Sequence, residues 1–118
     1  MTTKESKISY QSPSASRCLD NLIERFGDNL ERLSAIDKLD LLGILSFWQS
    51  ADNSRLEANI EPIRLGEYLD MNSRLQSATS GDLDEALRLL WLAHCSDADA
   101  LTLMVSIPQQ LRDGAYSQ

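Results

Sequence analysis

Two cysteines, one histidine and several clustered carboxylates are the side chains of this sequence that carry reactive chemistry. Cys18 and Cys95 lie far apart and neither belongs to a CxxC pair. A domain of this length needs no covalent staple, so two free thiols are expected, with one long-range disulfide as the alternative. His94 is the sole histidine. Two-His zinc sites and the paired Glu-x-x-His sites of di-iron bundles are therefore excluded within one chain. His94 and Cys95 are adjacent, about 100° apart on a helix, and aim poorly at one ion. The expectation is no metal site and no cofactor. His94 reads as a histidine at the edge of the core with a hydrogen-bond partner, ahead of a general base or pH switch.

The carboxylates fall at Asp82, Asp84 and Glu85, and at Asp97 and Asp99. Neither cluster has the alternating ligands, central glycine and closing glutamate of a calcium loop. Both fit acids in the first turn of a helix, where the helix dipole favours them. No nucleophile elbow and no glycine-rich phosphate loop occurs. No catalytic or cofactor-binding residue is assigned, and the chain is expected not to be an enzyme.

The segment Leu65–Leu75 has the cadence of a helix-turn-helix, with a turn at Asp70-Met71-Asn72 and Arg74 on the second helix. Its turn carries Asp where Gly is usual, and Gln76 stands where an aliphatic residue should be buried. Only Arg64 and Arg74 face Glu67 and Asp70, whereas recognition helices need a basic surround for phosphates. The net charge of −7 also disfavours a grip on nucleic acid. A transcriptional regulator using residues 63–79 is the alternative reading. The first 35 residues are balanced in charge; the acidic excess lies beyond them.

The elements that must position these residues read as helices. Ser12-Pro13 starts a helix over 13–26, with Cys18, Leu19, Leu22, Ile23 and Phe26 on one stripe and Gly27 as its stop. Leu30 and Leu33 mark a short turn. Ser34-Ala35-Ile36-Asp37 resembles a capping box and opens a helix over 35–51. Its residues Ile36, Leu39, Leu41, Leu42, Ile44, Leu45, Phe47 and Trp48 cover well over half its circumference, as in a central helix. Gly43 in its middle costs up to about 1 kcal/mol relative to Ala, so a neighbouring helix is expected to approach closely there. Asp52-Asn53-Ser54 reads as a turn, Leu56 and Ile60 as a short helix, and Pro62 as the start of a helix over 62–76. A helix over 82–95 carries Leu83, Ala86, Leu87, Leu90, Trp91 and His94 on one face. Ser96 opens another over 97–106, and Pro108 begins a last turn ending near Gly114. Segments 34–49 and 80–95 share a polar start, a leucine cluster and a tryptophan, with thin residue identity. Valine occurs once, at Val105, and no strand pattern competes.

The fold class is therefore all-α: a single bundle of five to six short-to-medium helices over 12–114. A flexible polar tail over 1–11 precedes it and a loose C-terminus over 115–118 follows. No apolar run reaches the roughly 18 residues of a membrane span, and Lys4 and Lys7 precede no apolar region of a secretory signal. A cytoplasmic location is expected.

Residues Arg32–Trp48, with Leu33-Ser-Ala-Ile-Asp-Lys-Leu-Asp-Leu-Leu42, resemble one helix of the carotenoid-binding domain of orange carotenoid proteins. The resemblance is confined to this segment, and aromatic residues, at 6%, are few for a carotenoid tunnel; no carotenoid is inferred. The breadth of apolar surface on the second helix points instead to an interaction patch. Its expected members are Leu19, Leu22, Phe26, Phe47 and Trp48, rimmed by acidic residues. The expected partner is another protein with a basic edge, or a second copy in a homodimer. The functional expectation is a small regulator, assembly factor or adaptor.

Overall fold

A computed structural model describes residues 17–71 and 81–117. Five helices occur among them: α1 (Arg17–Phe26), α2 (Ala35–Glu57), α3 (Leu65–Met71), α4 (Gly81–Leu92) and α5 (Asp97–Arg112). The expected tail over 1–11, the start of the first helix and residues 72–80 of the helix-turn-helix segment lie outside the described residues.

The central helix is α2. It packs against α5 and α4, while α1 and α3 also lie on α4. Leu41, Ile44, Leu45 and Trp48 of α2 are buried with Leu83, Ala86, Leu87 and Leu90 of α4 and Ala100, Leu103 and Ile107 of α5. Each inward set recurs at three- and four-residue intervals, the spacing that brings side chains onto one helix face.

Side-chain caps start the two longest helices. The Asp37 N–H donates to Ser34 Oγ at 3.1 Å at the start of α2. Ser96 and Asp99 form a reciprocal capping box at the start of α5. Helix ends follow a second rule. Asn59, His94 and Gly114 take positive φ values of 58°, 55° and 75° just past α2, α4 and α5. The following N–H reaches back five residues each time: Ile60 to Arg55 at 2.8 Å, Cys95 to Leu90 at 3.0 Å and Ala115 to Gln110 at 2.9 Å. This left-handed closure satisfies carbonyls that the helix end would otherwise orphan. Gly27, at φ 103°, ends α1 where the spacing placed a stop.

Five sequence expectations give way here. The helix expected from Pro62 begins only at Leu65. The turn expected at Asp52-Asn53-Ser54 is the last part of α2. Asp52 is buried, and its Oδ1 accepts the Ile63 N–H at 3.0 Å, so it pins the return of the chain. The short helix expected at 56–60 is the end of α2 and its closing turn. Helix α4 stops at Leu92, because His94 turns the chain left-handed. Helix α5 runs through Pro108 to Arg112. The ring removes one N–H, and buried Ile107 and Gln110 on either side hold the helix in place.

The C-terminus is also tied down. The Ser117 N–H donates to the Leu33 carbonyl at 2.9 Å, and a single parallel bridge joins Ser34 to Ser117. Lys38 is wholly buried beneath this junction. Its Nζ donates to the Asn29 carbonyl at 2.8 Å, to Gln110 Oε1 at 2.9 Å and to the Ala115 carbonyl. One ammonium therefore links the α1–α2 turn, α2, α5 and the C-terminal segment. Burial lowers its pKa from 10.5 to about 8, against the attraction of Glu31.

Candidate functional site

Adjacent residues on a helix point about 100° apart. Trp48 and Phe47 therefore cannot both face the core, and the structure separates them. Trp48 is 2% exposed, and its Nε1 donates to the Ile63 carbonyl at 2.8 Å. Phe47 is 69% exposed. Ile36 and Leu39, at 70% and 54% exposure, share its side of α2. Gly43 falls between them on the same face. A Cβ placed on Gly43 meets no atom within 4 Å. The glycine expected to admit a neighbouring helix thus meets none among the described residues. It forms an open seat in an apolar stripe whose only charge is Asp40.

The expected patch is corrected accordingly. Leu19, Leu22, Phe26 and Trp48 are core residues, each no more than 2% exposed. Helix α4 covers the α1 stripe to which the first three belong. Phe47 alone of the five stands at the surface. Ile36 and Leu39 belong to the apolar girdle of the helix but lie outside the expected patch. The helical wheel holds the missing signal: Lys38, Leu41, Leu45, Trp48 and Asp52 fall on one side, leaving Ile36, Leu39, Gly43 and Phe47 on the other.

A second group of functional side chains surrounds the end of α4. Trp91 is not a core residue; it is 47% exposed. Its indole lies against Gly66, where a Cβ would collide with Nε1 and Cδ1. Gly66 is therefore a glycine that a close approach requires. Arg64, Leu65, Gly66, Trp91, His94 and Cys95 line a cavity of about 290 Å³. His94 is exposed and closes the helix, so the expected core-edge histidine is corrected too.

The left-handed turn at His94 carries Cys95 to the start of α5. There it meets Cys18, the second residue of α1. Both cysteines are free. One ligand atom each from Cys18, Cys95 and Asp99 lies within 4.8 Å of the others. A hydrogen bond with the Cys18 thiol, burial and the negative charge of Asp99 and Asp97 push the Cys95 thiol well above its ordinary pKa. Asp99 is oriented by its capping box: Oδ2 accepts the Ser96 N–H at 3.3 Å and its own N–H donates to Ser96 Oγ at 3.1 Å. Asp97 Oδ1 accepts from Gln49 Nε2 at 3.1 Å.

Among the described residues the geometry thus defines an all-helical domain with an apolar face open on its central helix and a thiol–carboxylate cluster. Comparison with known family models, with curated proteins and with solved structures finds no match to this chain.

Proposed function

We propose that this chain is a non-enzymatic protein-interaction module that self-associates through the outward face of α2. The observation that carries the reading is the stripe of Ile36, Leu39 and Phe47, each more than half exposed, around the unfilled seat at Gly43. A glycine inside a helix costs up to about 1 kcal/mol relative to alanine, and no close approach among the described residues offsets it.

The stripe suits a second copy of itself. Two α2 helices running antiparallel about a two-fold axis at the level of Leu41 place Leu39 of one copy over Gly43 of the other. Phe47 then covers Ala35 and Ile36 at both ends. Large residues meet small ones twice, as an isologous contact requires. The charges add a signature. Each copy carries a net −7, and Asp40 lies near the axis on both. Salt screens that repulsion and strengthens the pairing, whereas a basic partner would be weakened by salt. A regulator or adaptor switched by its own assembly is the concrete form of the proposal.

Sedimentation equilibrium of the full chain tests it. The expected result is a monomer–dimer equilibrium that tightens with salt and with Asp40→Asn. Phe47→Asp removes the ring at both ends and should loosen it by about 1,000-fold, the equivalent of roughly 2 kcal/mol for each phenylalanine buried. A strict monomer at every concentration, or a dimer indifferent to Phe47→Asp, would overturn it.

A further inference from the structure

The two cysteines of this chain come from distant parts of the sequence and meet beside a fixed carboxylate. We propose that Cys18, Cys95 and Asp99 form a three-ligand site for a divalent ion of the zinc class, its fourth position taken by water or by a group entering from the cavity that Cys95 lines.

The donor set selects the ion. Two sulfur ligands exclude calcium and magnesium, which take oxygen, and suit zinc-like ions. In a tetrahedral zinc site neighbouring sulfurs stand about 3.8 Å apart. Donor atoms already within 4.8 Å of one another need only a modest closure. Binding breaks both S–H bonds, forms two metal–sulfur bonds and releases two protons to solvent; nothing is oxidised or reduced.

The surroundings meet the other requirements of a metal site. The capping box holds Asp99 from behind, as supporting hydrogen bonds orient metal ligands elsewhere. The left-handed closure at His94 fixes Cys95. Cys95 also lines the cavity next to Trp91, which supplies an entry path. The objection from the sequence, that His94 and Cys95 aim apart, does not apply, because the carboxylate of Asp99 takes the third place. A disulfide switch has no use for that carboxylate, whereas a metal site uses it as its third ligand.

Cobalt(II) titration of the fully reduced full chain, followed by absorption spectroscopy, tests the assignment. One cobalt per chain should bind with a thiolate-to-cobalt charge-transfer band and tetrahedral d–d bands, and zinc should displace it. Cys95→Ser should abolish the charge-transfer band. Asp99→Asn should weaken binding by at least the roughly tenfold that losing a supporting group costs, with helical circular dichroism retained in both variants. The proposal is overturned if the reduced wild type gives no such band, if the band survives Cys95→Ser, or if Asp99→Asn binds equally well. It is also overturned if the reduced chain ignores cobalt while oxidised glutathione yields a Cys18–Cys95 disulfide by mass.

Discussion

Replacing Lys38 with methionine removes a group that joins four parts of the fold while keeping the volume of its side chain. The ammonium is wholly buried and donates to two backbone carbonyls and to Gln110 Oε1. A hydrogen bond to a charged group contributes about 1.5–3 kcal/mol, and each buried acceptor left without a donor costs about 1–3 kcal/mol. Against this, methionine needs no desolvation of a charge, and swaps of buried charges for apolar groups are often mild. The Asn29 and Ala115 carbonyls belong to half-buried residues, which water can reach; Gln110 is fully buried. The net expectation is a loss of about 2–4 kcal/mol, or a fall in Tm on the order of 10 °C. Urea denaturation followed by circular dichroism and tryptophan fluorescence gives the first number. Hydrogen exchange at the Ser117 amide, bonded to Leu33, locates the damage.

The same residue gives a pH test. Lys38 has a pKa of about 8 when folded against 10.5 ordinarily. Between those values the unfolded chain holds the proton and the folded chain has released it. Wild-type stability should therefore rise with pH across that window relative to Lys38→Met. A loss below about 1 kcal/mol on substitution, unchanged Ser117 protection, or parallel pH profiles would refute the reasoning.

Three further substitutions probe the packing. Gly43→Ala should stabilise the isolated monomer by about 0.5–1 kcal/mol, since the site is helical and open, yet weaken self-association in sedimentation; the two effects must have opposite signs. Gly66→Ala should displace the Trp91 indole at a cost of about 1–3 kcal/mol, read as shifted tryptophan emission with a lowered urea midpoint. Trp48→Phe should cost about 1–2 kcal/mol in the same assay, because it strands the buried Ile63 carbonyl.

The helices were legible because their apolar residues recur at helical intervals and their starts carry side-chain caps. Ser34 and Ser96 cap as the pattern implied, and Leu83, Ala86, Leu87 and Leu90 are all buried. What covers a stripe was not legible. Leu19, Leu22 and Phe26 form the same pattern whether a second chain or α4 lies over them, and only the tertiary fold decides. Local polarity misled at Asp52, which looks like a turn residue and serves as a buried acceptor. Lys38 hid in plain view, three residues before Leu41 and seven before Leu45 on the core side of the wheel. The meeting of Cys18 and Cys95 depends on how α1 crosses α4, which no spacing within either segment encodes.

The face-to-face pairing of two α2 helices is tested most directly by isotope-filtered NMR on a mixture of labelled and unlabelled chains. Intermolecular contacts between the Leu39 methyls and the Gly43 α-protons, and between the Phe47 ring and Ile36, are expected. A spectrum without intermolecular contacts at millimolar protein, or with contacts only from other faces, would contradict the account.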